Sequence, residues 1–201
     1  MKTGENTKGI RKKHHLRVFL ITAAVTGVLG TFAYLYSITP LIYNGFEKAM
    51  IQVVEQGLGS GSAIPVNTFY VVPQLASPSA KSRLLRTGAN VDTLYSGGVL
   101  DLKEKPLVLH VPDMNGRYYS VQFTDPKTGN DFAYVGRRTT GTEAGDYLIT
   151  GPGWSGSVPQ GMKRIPSPDN RVLVFGRVLV ENKDDLATAY NLSKQITLSP
   201  P

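Results

Sequence analysis

The rhythm of apolar and polar positions changes three times along the chain. Residues 18 to 36, VFLITAAVTGVLGTFAYLY, run for nineteen positions without a charge. At about 1.5 Å per residue a helix of that length spans roughly 28 Å, close to the hydrocarbon thickness of a bilayer. Residues 39 to 57 then place Ile42, Phe46, Ala49, Met50 and Val53 three and four apart, with Glu47, Lys48, Gln52 and Glu55 between them. Thr39-Pro40 suits a helix start, so this spacing predicts an amphipathic stalk helix. Its apolar face serves either to pack on the chain's own domain or to meet a membrane surface or partner. GLGSGSAIP, residues 57 to 65, reads as a flexible linker.

From Val66 the period shortens. Alternating or continuous apolar segments predict strands at 67 to 72, 96 to 102, 106 to 111, 118 to 123, 132 to 136, 146 to 150, 163 to 166 and 171 to 180. Turn signals such as PDMNGR, DPKTGND, TTGTEAG, GPGWSGSVPQG and SPDN separate them, and no βαβ alternation occurs. The closing NKDDLATAYNLSKQITL predicts a helix capped by Asn182 or Asp184. The expected fold is mainly β: an antiparallel β-sandwich or jelly-roll-like domain with a C-terminal helix, preceded by a transmembrane helix and the amphipathic stalk. The expected divisions are a basic tail at 1–17, the transmembrane segment at 18–38, stalk and linker at 39–65, and the β-domain at 66–201.

Charge changes the picture by its placement. Of a net +7, the first seventeen residues supply +5 through Lys2, Lys8, Arg11, Lys12, Lys13 and Arg17 against Glu5, leaving +2 for the other 184 residues. The basicity thus belongs to the tail and argues against a nucleic-acid-binding face. A basic tail before an apolar run stays in the cytoplasm, which predicts a single-pass signal anchor in the inner membrane with the bulk of the chain periplasmic or otherwise extracytoplasmic. A cleaved signal peptide is the rival. The length of the run and a poor small-x-small site, Thr31-Phe32-Ala33, favour the anchor.

The chain lacks cysteine, which excludes disulfides, thiolate metal sites and cysteine nucleophiles. GWSGS, at 153 to 157, is half of a nucleophile elbow but has serine where the last glycine belongs and no strand-to-helix setting. His110 is the only histidine beyond the tail and alternates with Leu109 and Val111, which places it on the opposite strand face as a half-exposed strand residue. Asp92, Asp101, Asp113, Asp125 and Asp131 lack calcium-loop spacing and sit mostly in turns. No metal, cofactor or catalytic constellation is expected. Arg117-Tyr118-Tyr119, Arg137-Arg138, Trp154 and Arg177 form a cationic and aromatic set suited to a carboxylate or aromatic ligand, or simply to strand aromatics under arginines. In NVDTLYSGGVLDL, residues 90 to 102, Asp92 and Thr93 are expected to fold back on local backbone donors at the strand's start. Gly97-Gly98 there allows a bulge or a close approach.

NVDTLYSGGVLDL, VPDMNGRYYSVQFTD, GRRTTGTEAGDYLITGPGWSG and RIPSPDNRVLVFGRVLV resemble, in order and spacing, the bacterial family called domain of unknown function 1254, over about residues 66 to 201. The family's pattern falls here on Asn90, Asp92, Thr93, Leu94, Tyr95 and Ser96; on Gly116 to Tyr119; on Gly136, Arg138 and Gly141; and on Gly151 to Trp154. The resemblance implies a mostly β fold with exported or membrane-attached placement and supplies no established reaction. Longer members carry a companion domain, domain of unknown function 1214, and this chain stops at Pro201. A surface left for a separate companion β-domain protein, or for a membrane-protein partner, is therefore expected beside the lipid contact of residues 18–38. Two functions remain: an accessory or interaction module of a membrane-associated complex, or a small-ligand-binding or hydrolase-like domain. Its candidate binding residues are Asn90, Asp92, Thr93, Tyr95, Arg117, Tyr118, Tyr119, Arg138, Trp154 and Arg177.

Overall fold

The computed structural model describes residues 19–38, 63–80, 83–86 and 89–201. The basic tail, the predicted stalk helix and most of the linker lie outside them. The chain divides into two compact units, residues 1–44 and 45–201.

In the first unit, helix α1 (Phe19–Ile38) has a mean hydropathy of 1.7 and buries none of its surface in protein. Phe19, Ile21, Leu29 and Phe32 stand exposed along it. Two of its hydroxyls are satisfied from within: that of Thr31 donates to the Gly27 carbonyl at 2.9 Å and that of Ser37 to Ala33 at 2.8 Å. A lipid-embedded helix needs that economy, because no water is present to take the bond. Length and composition suit α1 to cross a membrane or to serve as a signal sequence.

The second unit holds β1 (Tyr70–Val71), α2 (Arg83–Arg86), β2 (Thr93–Asp101), β3 (Leu107–Val111), β4 (Tyr119–Thr124), β5 (Asp131–Gly136), β6 (Gly145–Thr150), β7 (Lys163–Pro166), β8 (Arg171–Leu179), α3 (Leu186–Ser193) and β9 (Thr197–Ser199). They build a five-stranded antiparallel sheet, β1-β2-β8-β4-β5, and a four-stranded sheet, β7-β6-β3-β9, in which β7 runs parallel to β6. The loop over 151–162 carries the chain back to make that parallel pair, which departs from the purely antiparallel expectation.

Strand alternation decides what each face buries. One side of the five-stranded sheet, with Leu94, Leu100, Val121, Phe123, Val172 and Val174, packs on Leu109, Val111, Tyr147 and Ile149 of the other sheet to form the main core. The opposite side of β2 and β8, with Tyr95, Val99 and Leu173, lies under a second core of Ile64, Val72, Ala76, Ala80 and Leu85. Burial on both faces explains why β2 is buried at every position but its last and why it lacks simple alternation. The cover reaches β1, β2 and β8 only; the outer faces of β4 and β5 contribute nothing to this second core.

Three expectations need correction. Thr93 to Tyr95, in the second half of NVDTLYS, already lie inside a central strand, Thr93 opposite Leu179 and Tyr95 opposite Arg177, and do not merely precede one. The β2–β8 register is unbroken, so the glycine pair makes no bulge there; a Cβ on Gly98 would stand 2.1 Å from the Thr68 carbonyl oxygen, so its role is close approach. The closing helix starts from Asp185, not Asn182 or Asp184, and ends at Ser193, after which Thr197–Ser199 pairs with β3.

Candidate functional site

Four strands place one row across the outer face of the larger sheet: Tyr95, Arg177, Ser120 and Gly136 are successive cross-strand neighbours. The next row runs Phe175, Gln122 and Tyr134. Where the second core ends, this face forms a cleft of about 260 Å³, lined by Tyr118, Ser120, Gln122, Tyr134, Arg138, Thr139 and Arg177, with Tyr119 and Gly136 at its floor. The Arg177 guanidinium lies 5.8 Å from the centre of the Tyr95 ring, and Arg138 lies 5.7 Å from that of Tyr118. Such placement attracts the cation to the ring face and limits its rotamers.

Local bonds fix these parts. The Tyr95 hydroxyl accepts from the Asn90 backbone N–H at 2.8 Å, tying the Asn90 turn to the ring under Arg177. Arg138 sits in a turn wound around the Gly136 carbonyl, which accepts from the N–H groups of Thr139 at 2.9 Å and Thr140 at 2.8 Å. Gly136 permits this turn to close against β4, since a Cβ there would lie 2.6 Å from the Tyr119 carbonyl oxygen.

Charge in the cleft is one-sided. Neither Arg138 nor Arg177 has an ion pair among the described residues, and the Arg177 Nε is buried there without a hydrogen-bond acceptor. The acid behind the cleft, Asp131, is already engaged: it accepts from Gln122 Nε2 at 2.8 Å, Thr124 Oγ1 at 2.7 Å and the Tyr134 hydroxyl. That last bond pushes the Tyr134 phenol above its ordinary pKa, burial adds to it, and the Arg177 charge pulls the other way. Burial likewise raises the Tyr119 phenol, opposed by Thr140; even so, its hydroxyl forms no hydrogen bond of regular geometry.

The other sequence-predicted residues are dispersed. Arg117 clasps Asp185 with both guanidinium nitrogens, at 2.5 and 2.7 Å, and donates to the Leu179 carbonyl at 2.8 Å, so it anchors α3. Trp154 lies in the 151–162 loop with Arg164 4.9 Å above its ring. Asp92 and Asn90 are exposed, and Thr93 is buried with its hydroxyl unpartnered among the described residues. Among the described residues the local backbone bonds expected of the Asp92 and Thr93 side chains are not found; the Tyr95 hydroxyl makes the one that ties the Asn90 turn to β2. Ser155 belongs to a loop that leads into β7 rather than a helix, and His110 is an exposed strand residue whose Nδ1 is 2.7 Å from Asp146.

Of the ten candidates, Tyr118, Tyr119, Arg138 and Arg177 come together at the cleft, with Tyr95 behind Arg177. Sequence reasoning missed Ser120, Gln122, Tyr134 and Thr139. The signal was present in YYSVQF, where Ser120 and Gln122 take the strand face opposite Tyr119 and Val121, but nothing in the sequence shows which half of the outer face stays open.

Fold and cleft together define a two-sheet β-domain carrying an aromatic and guanidinium-lined recess on one outer face. The family described as "Protein of unknown function (DUF1254)" matches residues 66–200, and the chain belongs to it. Among solved structures, the VPA0106 protein from Vibrio parahaemolyticus is similar at 24% identity and a TM-score of 0.62, over 81% of this chain and 37% of that one, which shows a shared fold. An uncharacterized protein from Burkholderia cenocepacia aligns at 10% identity and a TM-score of 0.42, over 68% of this chain and 34% of its own. The chain thus spans little more than a third of either structure. No curated protein matches it.

Proposed function

We propose that the protein is a single-pass membrane protein whose extracytoplasmic β-domain is a binding module of a membrane-associated complex, working by recognition rather than turnover. The observation that carries this reading is the half-open outer sheet face: one half is covered by Ile64, Val72, Ala76, Ala80 and Leu85, and the other presents a preformed recess with two cations lacking ion pairs among the described residues. Rigid strands aim those groups, and a tight turn holds Arg138, which lowers the cost of ordering on binding. The charge-free α1 and the basic residues before it support display on a membrane, N-terminus inside.

Gentle detergent extraction of the full chain, followed by native mass measurement, tests the proposal. The expected result is a mass above that of the protomer, contributed by a membrane-protein partner or a separate companion β-domain. A strictly monomeric protein with nothing copurifying would end the complex-module reading.

A further inference from the structure

We propose that the outer-face cleft binds a small carboxylate whose carboxyl group is attached to a flat apolar body; this rests on the cleft being the recognition surface proposed above. Two guanidiniums, Arg138 and Arg177, line it and no carboxylate does. Asp131, which would otherwise neutralise them, is held by three donors on its own side. The buried Arg177 Nε has no acceptor among the described residues. With no protein acceptor holding that N–H among the described residues, a ligand carboxylate at the Arg177 guanidinium competes with none there.

Shape narrows the anion. A guanidinium presents a planar fork of donors that matches a planar carboxylate, and here each is laid against a tyrosine ring. Tyr118 and Tyr134 supply aromatic walls for a flat body. A volume of about 260 Å³ lies just below the range, roughly 300–1,000 Å³, usual for ligand sites, so one ring with its carboxyl group fits better than a nucleotide or a peptide.

A tetrahedral phosphate is served less well. It asks for donors around a third oxygen, and the Gly136 N–H is taken by Thr140 Oγ1 at 3.1 Å, the Thr139 hydroxyl by the Tyr134 and Gly136 carbonyls, and the Gln122 amide by Asp131, which leaves the Ser120 and Tyr118 hydroxyls as the neutral donors of the lining. Neither a helix N-terminus nor a run of free backbone N–H groups opens into the cleft.

The full chain in lipid nanodiscs, titrated against 4-fluorobenzoate and followed by fluorine NMR, tests this, with protein-free nanodiscs correcting for partition. Saturable binding is expected, displaced by unlabelled benzoate and not by equal inorganic phosphate. The neutral 4-fluorobenzamide should bind about tenfold or more weaker, and Arg138→Gln and Arg177→Gln should each weaken the acid by about tenfold or more, as loss of a charge-assisted bond implies. Arg138 is exposed, so its variant folds and reports even if Arg177→Gln, which leaves Tyr95 uncovered, does not. Equal binding of acid and amide, displacement by phosphate as effective as by benzoate, acid binding indifferent to Arg138→Gln, or no saturable binding would each overturn the proposal. A complex found by native mass without benzoate binding removes only the ligand class. A monomer that binds benzoate removes the complex module and leaves the site standing.

Discussion

Arg117 and Asp185 form a two-pronged ion pair, 2.5 and 2.7 Å, that joins the turn before β4 to the N-cap residue of α3. Each side chain is 13% exposed. Asp185 also accepts from the Glu181 N–H at 2.9 Å, so its carboxylate is spent on the hinge between β8 and α3 and leaves no cap bond for the helix N–H groups. Breaking a bidentate pair strands its partner, and this pair lies outside both hydrophobic cores, so the cost belongs with hydrogen bonds to charged groups rather than with core pairs. Arg117→Ala should destabilise the β-domain by about 1–3 kcal/mol in urea unfolding without changing ligand binding in the cleft. A variant as stable as the parent would remove Arg117 from the structural account.

The same pair makes a pH signature. The hydrogen bond from Arg117 is the main cause holding the Asp185 carboxyl below its ordinary pKa, against a smaller upward push from burial. At Asp169 burial pushes upward most strongly of any single cause, but hydrogen bonds from Lys127 and the Arg171 N–H together outweigh it and leave that carboxyl lowered too. A carboxyl depressed in the folded state binds fewer protons there than in the unfolded chain. Its stabilisation is therefore complete above the unfolded pKa, near 3.8, and fades as pH falls through the folded value. Stability should decline on acidification below about pH 4, and Asp185→Asn should flatten that decline in acid-unfolding curves. An unchanged slope would show that Asp185 is not one of the groups responsible.

Gly98 should be the least tolerant position in NVDTLYSGGVLDL. A Cβ there meets a backbone oxygen, Thr68 O at 2.1 Å, which cannot swing aside as a side chain does. Asn67, next to Thr68, is tied to β2 beyond Gly98, through its N–H to the Val99 carbonyl at 2.8 Å and through its side-chain oxygen, which accepts from the Asp101 N–H at 2.7 Å. Gly98→Ala should cost about 1–3 kcal/mol, the usual range for overpacking, and should loosen the 64–85 cover first. Faster hydrogen exchange at the Val72 N–H, which bonds the Tyr95 carbonyl at 2.8 Å, would show it. Retained protection there would refute the close-approach role.

How much of this was legible follows from what each feature depends on. Strands β3 to β8 follow apolar runs punctuated by turn residues, and Lys163–Pro166 matches KRIP residue for residue, because period and turn chemistry are local. The start of β2 was not legible: Asp92, Thr93 and Tyr95 look like turn polars, and only pairing with Arg177 and Leu179, over eighty residues away, makes the segment a strand. β9 was hidden because QITL reads as helix continuation, whereas its strand pairing comes from β3. At the site, the residue types of Tyr118, Arg138 and Arg177 suited a carboxylate or an aromatic ligand, or simply strand aromatics under arginines, but Arg117 and Trp154 carry the same chemistry and face structural partners instead. Sequence specifies the groups; the extent of the 64–85 cover decides which of them meet solvent together.

Tyr134 offers a direct probe of the wall behind the cleft. Its hydroxyl donates to Asp131, and that bond favours the protonated phenol. Tyr134 should titrate above ordinary tyrosine, and Asp131→Asn should bring it back toward that value in a carbon-13 NMR titration of the ring. The raised phenol contributes stability that is complete below the unfolded pKa, near 10, and is lost as pH rises through the folded value. A Tyr134 pKa unmoved by Asp131→Asn would show that the phenol does not depend on this acid.

Helix α1 makes the last prediction because its two roles diverge under one substitution. Val25 lies in the middle of Phe19–Ile38, exposed, with no protein core against it. If the segment spans a bilayer, Val25→Arg puts a charge near the hydrocarbon centre, at about 2.5–3.5 kcal/mol on insertion scales. The same substitution on a helix in water costs almost nothing. Val25→Arg should therefore shift the full chain out of the alkali-resistant membrane fraction while leaving the thermal unfolding of the β-domain unchanged. Intact mass of the membrane-bound parent separates anchor from leader: a chain still carrying residues 1–38 is anchored, and one beginning near Tyr34 has been processed as a signal peptide.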